Sequence, residues 1–222
     1  MTITVHTISG APRPWRVLLG LCFKGLPFEK VTLKASDGEH KSAEFLALNP
    51  RGTVPVLQDG RVTVRDSVAA LAWLDRAYPD NPLFGSDPDQ AAHIWQSTME
   101  LADYLRAVID RLLTPIFFEA AATATPELLT SANDAKLELT GLETALRDTP
   151  FLAGAAPGAS DAVAFPEVRL LQRASDMAPG IMAELGLADF YEQFPQIGAW
   201  VARIEALPGY AETKPQHWKE TV

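Results

Sequence analysis

The stretch of sequence that decides the fold reads Asn49-Pro50-Arg51-Gly52-Thr53-Val54-Pro55-Val56-Leu57, followed by Asp59-Gly60 and then by Arg65-Asp66-Ser67. The first part predicts a loop that leads into a short strand, and Asp-Gly is typical of two-residue hairpin turns. Residues 61–65 alternate polar and apolar side chains, which predicts a second strand. Asp66-Ser67 stands at the start of a helix, because apolar residues then recur on one helical face. The stretch therefore predicts loop, strand, turn, strand and helix in that order.

This order resembles the glutathione-binding half of the glutathione transferase superfamily, which is built on a thioredoxin-like fold. The resemblance implies a cis bond between Val54 and Pro55, with the Val54 backbone pairing with the cysteinyl unit of glutathione. It also implies that Ser67 at the helix start receives the γ-glutamyl carboxylate, while Asp66 pairs with the ammonium group. Taken alone, Asp-Ser before an apolar helix is typical of an ordinary N-cap. Because proline has no N–H, Pro55 by itself indicates a strand edge that is not fully paired.

Composition and charge limit the classes of protein that the chain can represent. The 222 residues are 47% hydrophobic and 21% charged, which is typical of a globular protein in water. A net charge of −9 disfavours nucleic acid and anionic membranes as partners. Without a long apolar run or a signal peptide, the sequence predicts a cytoplasmic protein. The single cysteine, Cys22, and four scattered histidines indicate neither a disulfide nor a metal site, and Cys22 is expected to be a buried structural thiol.

The sequence predicts two domains joined by a linker. Residues 1–78 are expected to form an α/β thioredoxin-like domain of order βαβαββα, residues 79–87 a linker, and residues 88–222 an all-α domain. In the second half, Pro157-Gly158-Ala159-Ser160-Asp161 resembles the start of the buried helix of the transferases, with Gly158 in place of the usual capping hydroxyl. The resemblance covers roughly residues 2–215.

The catalytic position is where the sequence departs from the pattern of the family that it resembles. Glutathione transferases stabilise the glutathione thiolate, and the family places a tyrosine, serine or cysteine between the first strand and the first helix for this purpose. Here the aligned position reads Ala11 or Pro12, and neither side chain can donate a hydrogen bond. The substitutes are Ser9, which lies two residues earlier, and Arg13. Backbone amides at the start of the helix are a third alternative.

The remaining candidate residues are those for the glycine end of glutathione and for the second substrate. Lys41 is a candidate for binding the glycine carboxylate of glutathione. A second-substrate pocket is expected between the domains, and its candidate residues are Ala11, Trp15, Phe117, Phe118 and Arg173. Arg173 stands seven residues after Pro166, as an arginine does in the zeta class, whose members isomerise maleylacetoacetate. The zeta serines and cysteine correspond here to Ala11, Pro12 and Arg13.

Three functions are thus consistent with the sequence. The first is a homodimeric transferase-like enzyme that uses glutathione as its co-substrate and no metal. It would add the thiolate to a small, apolar electrophile or reduce a peroxide. The second is a protein that binds glutathione, or another protein, without turnover, and the third is an isomerase of the maleylacetoacetate type.

Overall fold

The computed structural model describes residues 2–60, 62–119 and 121–218. The chain divides into two compact units, one containing the residues up to Ala91 together with the segment from Glu205 onward, and the other containing Ala92–Ile204. The segment from Glu205 onward thus groups with the first unit, although the sequence assigned it to the helical domain. The linker at residues 79–87 stays a prediction.

The first unit is built on a mixed sheet of four strands in the order β2-β1-β3-β4. The strands are β1 (Ile3–Thr7), β2 (Phe28–Thr32), β3 (Val56–Asp59) and β4 (Val62–Val64). β1 runs parallel to β2 and antiparallel to β3, and β3 runs antiparallel to β4. This is the predicted thioredoxin-like arrangement, with the parallel pair formed by the first βαβ unit.

Three helices accompany the sheet. They are α1 (Pro12–Lys24), α2 (Ala43–Leu48) and α3 (Ser67–Ala77). α1 is buried along most of its length and packs against α3. Gly25 ends α1 at φ 66°, a left-handed conformation that glycine adopts without a steric penalty.

The second unit is helical throughout its regular structure. Its helices and those that follow it are α4 (Pro88–Glu100), α5 (Arg106–Phe118), α6 (Pro126–Ala145), α7 (Ala159–Met177), α8 (Pro179–Glu184), α9 (Phe190–Gln193), α10 (Pro195–Glu205) and α11 (Tyr210–Thr213). A π-helical segment, Leu101–Leu105, joins α4 to α5. α11 belongs to the first unit and packs against α1. No helix in the described ranges combines the length and apolarity needed to cross a membrane.

The start of α7 shows how the missing capping hydroxyl is compensated. Asp161 is fully buried and accepts hydrogen bonds from the backbone N–H groups of Leu152, Ala153 and Gly158 and from Trp200 Nε1. Burial raises the pKa of Asp161, while these four hydrogen bonds act in the opposite direction. The carboxylate therefore fixes the helix start to the preceding loop and to α10.

Several predicted boundaries were wrong in detail. The sequence predicts a first helix from Pro14 to Lys24, ended by Gly25, but α1 begins at Pro12. A break was expected near Pro115 in the long helix after Asp89, but Pro115 lies inside α5 without ending it. The sequence predicts one helix from Phe190 to Leu207, but α9 ends at Gln193 and α10 starts at Pro195. The strand predicted over 61–65 covers Val62–Val64, and Arg61 lies outside the described residues.

Candidate functional site

The strand directions bring three predicted parts of the site to one end of the sheet. His6 pairs with Val56 and Leu57 pairs with Val64. The end of β1, the start of β3 and the end of β4 therefore lie side by side. Three segments extend from these points and so lie at the same end: the first loop (residues 8–11, between β1 and α1), Val54-Pro55 and Asp66-Ser67.

Val54-Pro55 forms the entry to β3, and the peptide bond between them is cis, as the resemblance implied. The expectation that Pro55 marks a strand edge was wrong, since β3 is a central strand between β1 and β4. The proline is tolerated because the ladder begins at Val56, one residue later. Among the residues that the structure describes, no hydrogen bond engages the N–H or C=O of Val54. These two groups are thus available for an extended peptide.

Asp66 is the N-cap of α3. Its Oδ1 accepts hydrogen bonds from the N–H groups of Val68 and Ala69, both at 2.9 Å. The ordinary N-cap role is therefore present in the structure. One carboxylate oxygen carries both bonds, and the other, Oδ2, makes no hydrogen bond within the described chain. The exposed carboxylate can cap the helix and still accept from a ligand ammonium.

Ser67 is the first residue of α3 and is only 2% exposed. The Asp66 cap accepts from the N–H groups of Val68 and Ala69, so the Ser67 N–H and hydroxyl are not used by the cap. No other described residue forms a hydrogen bond with either group. An N–H and an O–H at a helix N-terminus are well suited to bind a carboxylate.

Lys41 ends a short 3-10 segment, Glu39–Lys41, next to the residues before Val54. Its Nζ donates to the carbonyl oxygens of Arg51 at 3.2 Å and Gly52 at 2.9 Å. An ammonium group has three donors, so one is left after these two bonds. The side chain is therefore held beside the entry to β3 with a remaining donor for a carboxylate.

The first loop contains Ala11 as the N-cap of α1, without a side-chain hydrogen bond to the helix. The Ala11 N–H donates to the carbonyl of Ile8 at 3.0 Å. Because α1 begins at Pro12, the amides of Trp15 and Arg16 fall within the helical hydrogen-bond pattern. The predicted amide donors at the helix start are those of Arg13, Trp15 and Arg16, and of these only the Arg13 amide lies free of this pattern in the first turn. The Arg13 side chain is exposed.

Ser9 has a partner that the sequence did not reveal. Its Oγ lies 2.6 Å from Nδ1 of His217, a residue near the other end of the chain. His217 lies in a short 3-10 segment, Gln216–Trp218, which follows α11 and belongs to the same compact unit. Nothing in the local sequence around His217 signals this contact, since it depends on where the C-terminal segment packs.

Trp15 is 2% exposed and faces the same C-terminal segment. Its Nε1 donates to Thr213 Oγ1 at 3.1 Å, and its ring meets that of Trp218 edge to face at 5.1 Å. Trp15, Ser9 and Ala11 line a cavity of about 20 Å³ between the first loop and this segment. The cavity has room for about one water molecule and is too small for a tripeptide.

The predicted pocket residues of the helical unit lie on two different helices. Phe117 and Phe118 end α5, where Phe118 is 82% exposed and the two rings meet edge to face at 6.5 Å. Arg173 is half-buried on α7. The pocket role of these three residues stays a prediction.

Cys22 is not part of this end of the sheet. It is partly buried in α1, and its Sγ donates to the carbonyl of Pro208 at 3.3 Å. Burial and, to a smaller extent, the charge of Glu212 raise the pKa of the Cys22 thiol to about 11. The thiol is therefore a poor nucleophile at neutral pH, in agreement with the structural role expected for it.

Comparisons with known proteins identify the family to which the chain belongs. The family described as "Glutathione S-transferase, N-terminal domain" matches residues 11–77. Glutathione S-transferase theta-1 of Bos taurus is 30% identical over 194 residues, which cover 83% of this chain and 74% of the relative. Glutathione S-transferase 1 of Dianthus caryophyllus is 39% identical over 93 residues, so the match spans only 42% of that relative's length.

A solved structure extends the similarity over the whole chain. The crystal structure of a glutathione S-transferase from the Antarctic clam Laternula elliptica has a TM-score of 0.83 at 29% identity. The match covers 100% of this chain and 95% of the clam protein. A thioredoxin-like sheet followed by a helical unit thus defines the class of protein. The chain belongs to the glutathione S-transferase superfamily.

Proposed function

We propose that this protein binds glutathione at the end of its sheet and adds the glutathione thiolate to a small electrophile. The observation that carries the proposal is the convergence of unused hydrogen-bonding groups at Val54, Asp66 and Ser67 on one end of the sheet. These groups match the three features of an extended γ-glutamyl tripeptide: a peptide backbone, an ammonium and a carboxylate.

Each of the three units of the tripeptide has its own partner in this proposal. The cysteinyl unit pairs with the N–H and C=O of Val54, which lies at the entry to β3, before the ladder begins at Val56. The γ-glutamyl carboxylate accepts from the Ser67 N–H and hydroxyl, and its ammonium donates to Asp66 Oδ2. The glycine carboxylate accepts from the third donor of Lys41, whose other two donors are held by Arg51 and Gly52.

With the cysteinyl unit at Val54, the sulfur faces the first loop. A free thiol has a pKa near about 8.5, so the chain must favour the thiolate by donating hydrogen bonds to it. We assign this role to the Ser9 hydroxyl, with support from the Arg13 amide and guanidinium. The thiolate then attacks the electrophilic carbon to form a C–S bond, while the leaving group departs with its electron pair or, in an addition, the π electrons move to the neighbouring atom, which takes a proton from water. With a peroxide, the thiolate attacks one oxygen, the O–O bond breaks and the alkoxide leaves and takes a proton; a second glutathione then reduces the sulfenic acid, which gives glutathione disulfide and water.

A second candidate function is glutathione binding without turnover. Ala11 supports it, because the residue at the N-cap of α1 offers no side-chain donor to a sulfur atom. In this case the bound thiol would keep a pKa near that of free glutathione.

The test combines retention with turnover. The protein is applied to immobilised glutathione, and its rates are then measured with an activated halonitrobenzene and with an organic hydroperoxide. We expect retention and a glutathione-dependent rate that falls in Ser9→Ala but not in the control Ser86→Ala, an exposed serine. Retention without turnover would favour the second candidate. Failure to be retained, together with a rate equal to the uncatalysed one, would refute both.

A further inference from the structure

We propose that His217 is a positioning residue for Ser9, acting on the glutathione thiolate through the serine hydroxyl. The inference rests on the proposed function, because it assumes that glutathione sulfur lies beside the first loop. Its structural basis is the distance of 2.6 Å between Ser9 Oγ and His217 Nδ1.

The direction of this hydrogen bond decides what Ser9 can do. A hydroxyl has one proton to donate and two lone pairs that accept. If Nδ1 carries its proton, the imidazole donates to Ser9 Oγ and the serine proton is free to point at a sulfur. If Nδ1 is unprotonated, it accepts the hydrogen bond of the Ser9 hydroxyl, and Ser9 then has no proton left to donate to a thiolate. The proposal is the first arrangement, in which His217 fixes the hydroxyl and polarises it as a donor.

The first loop is shaped to receive the imidazole. Gly10 has φ 81°, and a Cβ atom at this position would lie 2.7 Å from Cε1 and 3.2 Å from Nε2 of His217. A side chain here would displace the ring from Ser9. The glycine next to the proposed donor thus provides both the backbone conformation and the space for its partner.

The C-terminal segment is held at this position by contacts other than the Ser9 bond. Trp15 bonds to Thr213 and stacks edge to face on Trp218, while Lys30 Nζ on β2 donates to the carbonyl of Glu212. These contacts flank His217 along the chain, so its ring is delivered to the first loop by a packed segment. Removing the imidazole alone should therefore leave the segment in place.

The first test reads the hydrogen bond without glutathione. Nitrogen NMR of the histidine side chains reports which ring nitrogen carries the proton. We expect a protonated Nδ1 for His217, with a resonance that shifts in Ser9→Ala while that of His93, an exposed histidine on α4, does not. A neutral His217 with its proton on Nε2 would overturn the proposal.

The second test is a double-mutant cycle on the bound thiol, read as thiolate absorbance against pH. We expect Ser9→Ala and His217→Ala each to lower the thiolate fraction at neutral pH roughly tenfold, which corresponds to about one pKa unit. The double variant should equal Ser9→Ala, because His217 acts only through the serine. His217→Asn, whose amide can reach the Nδ1 position, should restore most of the effect, and His93→Ala should change nothing.

The outcomes separate this inference from the proposed function. If Ser9→Ala raises the thiol pKa and His217→Ala does not, His217 has no positioning role and the proposed function stands. An equal effect of His217→Ala with and without Ser9 would also overturn the inference, since the histidine would act independently. If the wild-type protein binds no glutathione, or binds it with a pKa that Ser9→Ala leaves unchanged, the catalytic assignment and this inference both fail.

Discussion

Replacing Asp66 by asparagine separates its two roles, the N-cap of α3 and the partner of a ligand ammonium. Oδ1 already accepts from Val68 and Ala69 at 2.9 Å each, whereas Oδ2 makes no hydrogen bond in the described chain. An asparagine keeps one oxygen for the two amides and is as good an N-cap as aspartate. It replaces the other oxygen by an NH₂ group, which cannot accept from an ammonium. The substitution thus preserves the helix and removes the proposed ligand contact.

The expected magnitudes follow from this geometry. Asp66→Asn should change the free energy of unfolding by less than about 0.5 kcal/mol, while Asp66→Ala should cost about 1 kcal/mol because the cap itself is lost. For glutathione, the exposed position of the carboxylate reduces the value of a charged hydrogen bond to about 1–2 kcal/mol. Affinity should therefore fall about 5- to 30-fold in Asp66→Asn.

The assay is calorimetric titration with glutathione and with an analogue that lacks the γ-glutamyl amino group. Wild-type protein should bind the analogue more weakly than glutathione, and Asp66→Asn should bind the two equally. Urea unfolding of the same samples verifies that α3 is intact. An Asp66→Asn protein that still prefers glutathione over the analogue by the wild-type ratio would refute the ammonium contact and leave only the cap.

Three further predictions concern separate parts of the molecule. Asp161→Asn should destabilise the protein by about 3–5 kcal/mol in urea unfolding, since two of the four buried donors would face an NH₂ group, and a loss below about 1 kcal/mol would contradict this account. Burial raises the pKa of Cys22 to about 11, so alkylation should rise with pH towards 11. At pH 8 its thiolate fraction should be about 100-fold below that of an ordinary thiol, and half-maximal reaction near pH 9 would be inconsistent with the buried thiol. Lys41→Gln should weaken glutathione binding about 2- to 10-fold but not the binding of its glycyl ester, and an equal loss for both ligands would remove the glycine contact.

The sequence could predict the fold because its signals are local. The hairpin around Gly60, the helix ended by Gly25 and the N-cap at Asp66 each depend on residues close to one another in the chain. The order of these elements then leaves few ways to arrange the sheet. The same reasoning explains why the parts of the proposed glutathione site on β3 and α3 could be predicted from sequence.

The remainder of the site depends on contacts between distant parts of the chain. His217 lies 208 residues after Ser9, and no periodicity or motif connects them. The sequence assigned the C-terminal segment to the helical domain because it follows that domain in the chain. Its packing against α1 is decided by side chains such as Trp15 and Thr213, whose contact becomes visible only in three dimensions. The prediction that Pro55 marks a strand edge was wrong for a related reason, since a proline just before a central strand cannot be distinguished in sequence from one on an edge strand.

The central claim is that the start of α3 binds the γ-glutamyl carboxylate through Ser67. The measurement that tests it most directly is calorimetric titration of Ser67→Ala with glutathione, beside wild type and the control Ser86→Ala. Ser67 is only 2% exposed, and loss of its hydroxyl leaves the carboxylate with one donor fewer, so affinity should fall at least tenfold while Ser86→Ala binds as wild type. Equal affinity of Ser67→Ala and wild type for glutathione, with both proteins folded, would contradict the claim.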